Sequence, residues 1–343
     1  MDELVFARKA GTKHRLLTQE IFVTATLGID IAKKKFDAAL FSNGKYKNKA
    51  FSNDETGFTE LEAWLSKNHV EKVHACMEAT GILWENLAAY LADIGHVVSV
   101  VNPARIKAFG ESELSRTKND KADAKLIARF CSAMKPSVWQ PAPIEIRTLQ
   151  ALGRRRDALI AMRTQELNRE TSTSTTVNQS IQSVISFLDL EIEAITKQIK
   201  DHIDNHPDLK HKRDLLKSIP GVGDVAAEAV LSEFSGFAPF DKVQQAVAYM
   251  GLSPKEKTSG SSVRGKSHIC KTGNIRLRKS LFMPALVASQ RNPAVNALYG
   301  RLKAKSKNGM IIACACMKKL VQIMFAVVKN NKPFDAAYHL KNA

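Results

Sequence analysis

Leucine and isoleucine alternate with small or polar residues along 26–31 (TLGIDI), and a mostly apolar run follows at 36–42 (FDAALFS). The two read as paired strands joined by a lysine-rich turn at 32–35. A third strand is predicted near 47–52 and a helix over 55–67. Next come a short apolar run at 72–77 (KVHACM), a helical period over 82–92, a strand of buried type at 97–101 (VVSVV) and a helix over 120–133. Hairpin strands first and alternating β and α elements afterwards predict a mixed sheet flanked by helices. Pro136, Pro141 and Pro143 mark the end of this region.

The middle of the chain changes period. Leu149, Leu152, Leu159 and Met162 recur at helical spacing, and Ile181, Ile185, Leu188, Ile192, Ile195, Ile199 and Ile203 follow in steps of three and four. They predict two amphipathic helices of coiled-coil type, interrupted by TSTSTT at 171–176. Such a pair is either a hairpin within one chain or a dimerisation arm. From 215 onward the segment LLKSIPGVGDVAAEAVLSEF reads as a helix-hairpin-helix, in which Gly221 and Gly223 let backbone N–H groups approach a phosphate.

Charge sharpens this picture. Of 51 Lys and Arg in the 343 residues, 19 fall in 241–343, against three acids (Asp241, Glu256, Asp335), a net of +16. The first 240 residues carry 32 basic and 31 acidic side chains. So uneven a distribution predicts a polyanion-binding C-terminal region, because clustered cations release condensed counterions when they neutralise phosphates. The cysteines (Cys76, Cys131, Cys270, Cys314, Cys316) are too scattered for a disulfide framework or a zinc site, and free thiols in a reducing compartment are expected. Residues 1–20 lack the apolar core of a signal peptide, and the apolar stretch 310–328 is interrupted by Lys318 and Lys319, so a cytoplasmic protein with no membrane span is expected.

Four carboxylates stand out against the background. Asp30 sits between Ile29 and Ile31 in the first predicted strand, where a lone charge is costly without compensation. Glu78 ends another strand just before the turn residue Gly81. Asp120 and Asp123 are three apart at a helix start, so both project from one face. Each has an ordinary reading, the last two as a helix cap and a first-turn charge. Together they are the ingredients of a hard divalent-metal site.

The segments Gly28-Ile29-Asp30-Ile31-Ala32-Lys33, Met77-Glu78-Ala79-Thr80-Gly81 and Lys118-Asn119-Asp120-Lys121-Ala122-Asp123-Ala124 closely resemble the three acidic motifs of the insertion-sequence-110 transposases, also called DEDD or Piv-like recombinases. The resemblance spans roughly 26–331. It implies an α/β RuvC-like (RNase H type) N-terminal domain whose Asp30, Glu78, Asp120 and Asp123 bind Mg2+ (or Mn2+). A helical coiled-coil middle and a mainly α C-terminal serine domain with its helix-hairpin-helix would follow. The expected divisions are a lead at 1–24, the metal-binding domain at 25–143, the arm at 144–212 and the basic domain at 213–343.

A Ser-Gly step in a cation-rich loop is by itself common punctuation. In the family, the serine before the glycine is the proposed nucleophile, and it falls here on Ser259. Thr258 stands where a second serine is frequent, Ser261 where a second glycine is frequent and Cys270 where a serine is common, which leaves Ser261 and Ser262 as neighbouring registers. Around them Lys255, Lys257, Arg264, Lys266, Lys271, Arg276, Arg278 and Lys279 are candidate nucleic-acid contacts, with Gly221 and Gly223. The resemblance further implies a DNA transposase or site-specific recombinase acting through a covalent phosphoserine link, guided by a structured RNA and working as a homodimer or homotetramer. Three rival readings need no serine chemistry: a RuvC-like nuclease or junction resolvase using water, a non-catalytic nucleic-acid-binding protein, and a sugar-kinase or actin-like ATPase.

Overall fold

Strand parity decides which face of the N-terminal sheet each side chain takes. The computed structural model describes residues 25–113, 119–170, 175–255, 258–259, 263–264, 268–270 and 272–337, so the lead at 1–24 lies outside the described residues. The chain divides into two units, 1–141 and 142–343.

In the first unit β1 (Ala25–Ile31), β2 (Lys35–Ser42), β3 (Lys45–Ser52), β4 (Val73–Glu78) and β5 (Val97–Val101) form one sheet in the order β3-β2-β1-β4-β5. The β1–β2 and β2–β3 pairs are antiparallel, and β1–β4 and β4–β5 are parallel. One face carries Leu27, Ile29, Phe36, Ala38, Leu40, Val73, Ala75 and Met77. They pack with Phe58, Leu61 and Leu65 of α1 (Glu55–Lys67) and with Leu87, Ala88 and Leu91 of α2 (Glu85–Asp93). Asp54 caps α1 by accepting from Gly57 N.

A further helix, α3 (Pro103–Ser112), was not anticipated from periodicity. Its signal is an N-cap asparagine followed by proline at the first helical position: Asn102 Oδ1 accepts from Ala104 N. The opposite sheet face is covered by α4 (Asp120–Met134), through Ala124 and Ala128 against Ala39, and through Ile127, Phe130 and Cys131 against Cys76, Val101 and Ile106. Gly28 on β1 is the point of closest approach. A Cβ there would lie 2.1 Å from the Ala124 carbonyl oxygen and 2.3 Å from Ala128 N, so only glycine admits the helix.

The second unit is helical: α5 (Ile144–Glu170), α6 (Thr175–Asp204), α7 (Pro207–Lys217), α8 (Asp224–Glu233), a 3-10 turn at Ser235–Phe237, α9 (Val243–Tyr249), α10 (Ile275–Arg291), α11 (Pro293–Ala304) and α12 (Gly309–Asn330). The two long helices α5 and α6 pack along each other, and Arg163 bridges to Asp189 between them. Leu149, Leu159, Ile185, Leu188, Ile199 and Ile203 are buried, whereas Met162, Val184, Phe187 and Leu190 face solvent. Among the described residues α12 is the one helix long and apolar enough to cross a membrane. Half of its apolar stretch is buried in the protein's own core, where Ile312, Cys316, Leu320, Ile323 and Val327 join Leu216, Val230, Leu281 and Ala285. A chain with a mixed five-stranded sheet followed by a helical half is an α/β unit with an α-helical C-terminal part. Cys76, Cys131 and Cys316 are buried thiols.

Candidate active site

Parity places Asp30 and Asp37 on the face that α4 covers, since their neighbours Ile29, Phe36 and Ala38 all point into the opposite core. The antiparallel register sets Asp30 directly opposite Asp37. On the parallel side Ile29 pairs with Met77, so Glu78, the last residue of β4, follows beside Asp30 on that face. The helix that crosses this face begins with Asp120 and Asp123. Asn119 starts it by accepting from Ala122 N, which aims the first turn at the end of β1.

The carboxylates are close enough to act on one another. Burial pushes the Asp30 carboxyl up, and repulsion from Asp123, Asp120 and Asp37 adds to it, with Lys35 opposing. Burial likewise pushes Glu78 up, helped by Asp30 and Asp123. Asp120 goes the other way because Lys35 donates to it. That ammonium donates to Asp37 Oδ2 and to Asp120 Oδ2, each at 2.9 Å, and both bonds raise its own pKa. The cluster is therefore five acids with one lysine clamped between two of them.

All these donors are carboxylate oxygens, the set a hard divalent cation takes, and their mutual repulsion is what such an ion relieves. In kind, the residues fit Mg2+ or Mn2+. In position, among the described residues no three His, Cys, Asp or Glu side chains are gathered as they stand into a set that would hold one ion, and Asp120 is drawn onto Lys35. Asp37 and Lys35 were missed at the sequence level. Their signal was the lysine-rich turn followed by an acid at Lys35-x-Asp37, an i, i+2 pair on one strand face.

The serine segment belongs to the second unit. Ser259 lies in a two-residue strand, β7 (Thr258–Ser259), paired antiparallel with β8 (Val263–Arg264); outside it β6 (Pro254–Lys255) pairs with β9 (His268–Ile269). Ser261, Ser262, Lys257, Lys266 and Lys271 lie outside the described residues. The base of this double hairpin is tied down from several directions. Cys270 N donates to Ser253 O and Asn274 N to Tyr249 O, both at 2.8 Å, and Arg278 Nη1 donates to Met250 O at 2.7 Å. Gly273, at φ +146°, lies so near that a Cβ would sit 2.3 Å from Tyr249 O.

Asn274 caps α10 by accepting from Leu277 N at 3.1 Å, and its amide donates to Glu233 Oε2 at 2.6 Å. Glu233 on α8, whose side chain is 7% exposed, also takes Arg276, whose guanidinium donates to Asp157 Oδ2 at 2.7 Å as well. Two of the cations singled out from charge, the half-buried Arg276 and Arg278, thus spend their guanidinium groups on partners within the protein, while Lys279 is exposed. Glu233 had no sequence signal, because its partners lie more than forty positions away.

The helix-hairpin-helix residues fall between α7 and α8. At Gly221, φ +99°, a Cβ would meet Ala288 of α10 at 2.8 Å, so that glycine serves helix packing. Gly223 is different: nothing lies within 4 Å of a Cβ there, and among the described residues no side chain caps the start of α8.

With the geometry in place, comparison with known proteins adds a lineage. A DEDD transposase model of the insertion-sequence-110 type matches residues 27–177, and a transposase model of the IS116/IS110/IS902 family matches residues 213–300. The pilin gene-inverting protein of Moraxella bovis is 35% identical over 91% of this chain and 98% of its own length, and its Moraxella lacunata counterpart has the same identity and coverage. A transposase for insertion sequence element IS1328 from Yersinia enterocolitica is 24% identical over 73% of this chain and 82% of its own. An acidic cluster assembled by one helix crossing one sheet face, followed by a basic helical half, accordingly belongs to a protein of the IS110 family of transposases and site-specific DNA recombinases.

Proposed function

We propose that this chain cuts and rejoins DNA with a RuvC-like acidic unit and a serine nucleophile. The observation that carries the reading is that Asp30 and Glu78, side by side on the sheet face beneath α4, are both pushed up by burial and by neighbouring carboxylates, with Asp120 and Asp123 at the start of the helix above them. Isolated structural acids have no reason to be concentrated there. They would hold Mg2+ or Mn2+, which supplies charge neutralisation and Lewis acidity at a scissile phosphate.

Ser259 Oγ attacks the phosphorus, its proton passes to water, and the P–O bond to the departing strand end breaks as that sugar oxygen gains a proton. The phosphoserine link keeps the bond energy for the reverse attack by a new strand end, so no nucleotide cofactor is needed. Lys255, Lys257, Arg264, Lys266, Lys271 and Lys279, with the helix start at Gly223, would grip the phosphate backbone, and a structured guide RNA would choose the bases. The exposed Val184, Phe187 and Leu190 of α6 suit pairing between copies in a homodimer or homotetramer. The protein would work in the cytoplasm, at the nucleoid.

The test is incubation with the flanking DNA of its element, any adjacent transcript and Mg2+, followed by a search for a protease-sensitive protein–DNA adduct. Ser259→Ala is expected to abolish the adduct and Ser261→Ala to leave it. An adduct that survives Ser259→Ala removes Ser259 as nucleophile. Full cleavage by Ser259→Ala with no adduct would identify water as the attacking group and the chain as a nuclease.

A further inference from the structure

The Lys35 ammonium is the point on which the acidic cluster turns. Its backbone is fixed: Ala32 N donates to Lys35 O at 2.9 Å, and Asn53 braces the same turn from its N to Lys34 O at 3.0 Å and from its Nδ2 to Ala32 O at 3.1 Å. Phe36, the next residue, is fully buried. From that anchored start of β2 the side chain reaches two carboxylates whose surroundings differ. The Asp37 side chain is 8% exposed and stands directly across the strand pair from Asp30. Two like charges in that relation destabilise a sheet unless a cation sits beside them. Asp120 is 59% exposed, at the first turn of a helix whose N-terminus already favours a negative charge.

The bond to Asp37 is therefore one the fold needs, and the bond to Asp120 is one the solvent and the helix end can replace. An incoming divalent cation and Lys35 compete for the same oxygens of Asp120. We propose that Lys35 is the resident counter-cation of the cluster, a positioning residue that holds Asp120 until a divalent cation takes that carboxylate from it. The exchange leaves Lys35 on Asp37 with its remaining N–H donors free, next to the exposed Lys33 and Lys34, where an incoming DNA phosphate can receive them. No covalent step is involved. The inference rests on the reading of the four acids as cation ligands.

Binding of Mn2+ to the full-length protein, followed by isothermal titration calorimetry and by the electron paramagnetic resonance signal of free Mn2+, tests it without reference to DNA cleavage. Lys35→Met is expected to tighten Mn2+ binding by about three- to tenfold, the worth of one or two exposed ion pairs. Lys35→Arg, which keeps the charge and the clamp, is expected to stay near the wild type. The decisive comparison is in an Asp120→Asn background, where Lys35→Met should lose most of its effect because there is no longer a carboxylate to compete for.

An equal tightening with and without Asp120 would mean simple charge repulsion and would overturn the clamp, as would unchanged or weaker binding in Lys35→Met while Asp30→Asn abolishes it. Failure of every variant and the wild type to bind Mn2+ would overturn the ligand reading itself, and the clamp with it. Circular dichroism of each variant separates these results from misfolding, and Lys35→Gln provides a polar replacement if Lys35→Met does not fold.

Discussion

Replacing Gly28 by alanine should break the cluster without touching any of its charges. The added methyl would start 2.1 Å from the Ala124 carbonyl oxygen, 2.3 Å from Ala128 N and 2.9 Å from Ala128 Cα. All three are backbone atoms of α4, so no rotamer change relieves the overlap and the helix must move by about 1 Å to reach van der Waals contact. Overpacking of this kind costs about 1–3 kcal/mol. The better strand propensity of alanine returns about 0.5–1 kcal/mol, which leaves a net loss of about 1–2 kcal/mol. For a unit of this size that is a fall in melting temperature of about 5–10 °C.

The functional loss should be out of proportion to the stability loss. The same helix carries Asp120 and Asp123, and a displacement of about 1 Å at a reacting centre is enough to cost about 100-fold in rate. The assay is thermal unfolding by circular dichroism alongside strand cleavage at a temperature where both proteins are fully folded. Ala128→Gly should not rescue, since the clash is with the backbone of 128 and not its side chain. A Gly28→Ala protein with an unchanged melting point and unchanged cleavage would refute the seating of α4 on β1 and the route by which Asp120 reaches Asp30.

Two further outcomes follow from the same geometry. In the absence of metal, Asp30→Asn should raise stability at neutral pH. A carboxyl pushed up in the folded state is strained when ionised, so the wild type loses stability relative to the Asn variant as pH rises from about 4 through the raised value. Melting temperatures from pH 4 to 7 in EDTA check the sign, and a wild type that gains on the variant toward pH 7 would contradict it. Glu233→Ala removes two charge-assisted bonds at the base of the Ser259 hairpin, at a cost of about 2–4 kcal/mol. Faster amide exchange at the start of α10 in DNA-free protein is the expected readout, and unchanged protection there would remove Glu233 from its tethering role.

What could be read from the sequence was whatever parity and capping control. Leu27, Ile29 and Ile31 alternate with Gly28 and Asp30, so the odd one out, a charge on a strand, was visible at once. Asp120 and Asp123 announced a helix start, although the cap itself is Asn119, one residue earlier, and Gly221 and Gly223 announced a turn between helices. Three things were not legible, each for a different reason. Asp37 becomes Asp30's partner only through the hairpin register, and a turn one residue longer would have sent it to the opposite face. Gly28 has no side chain to advertise that α4 passes there. Arg276 and Arg278 look like any other cations in a basic stretch until Asp157 and Glu233, 119 and 43 positions away, arrive beside Arg276 and the Met250 carbonyl arrives beside Arg278.

The same contrast separates the two kinds of constraint on this sheet face. Steric seating and electrostatic stress act through neighbouring residues of one strand, Gly28 and Asp30, yet substitutions at the two should move stability in opposite directions while both reduce activity. Gly28→Ala loses stability because it displaces the helix; Asp30→Asn gains it because it removes a charge that the fold holds at a cost. A protein selected for stability alone would have kept the glycine and discarded the aspartate. On the proposed reading Asp30, opposed by Asp37 and relieved only in part by Lys35, is stabilised by a counter-charge that arrives from solution, and the two substitutions together test it.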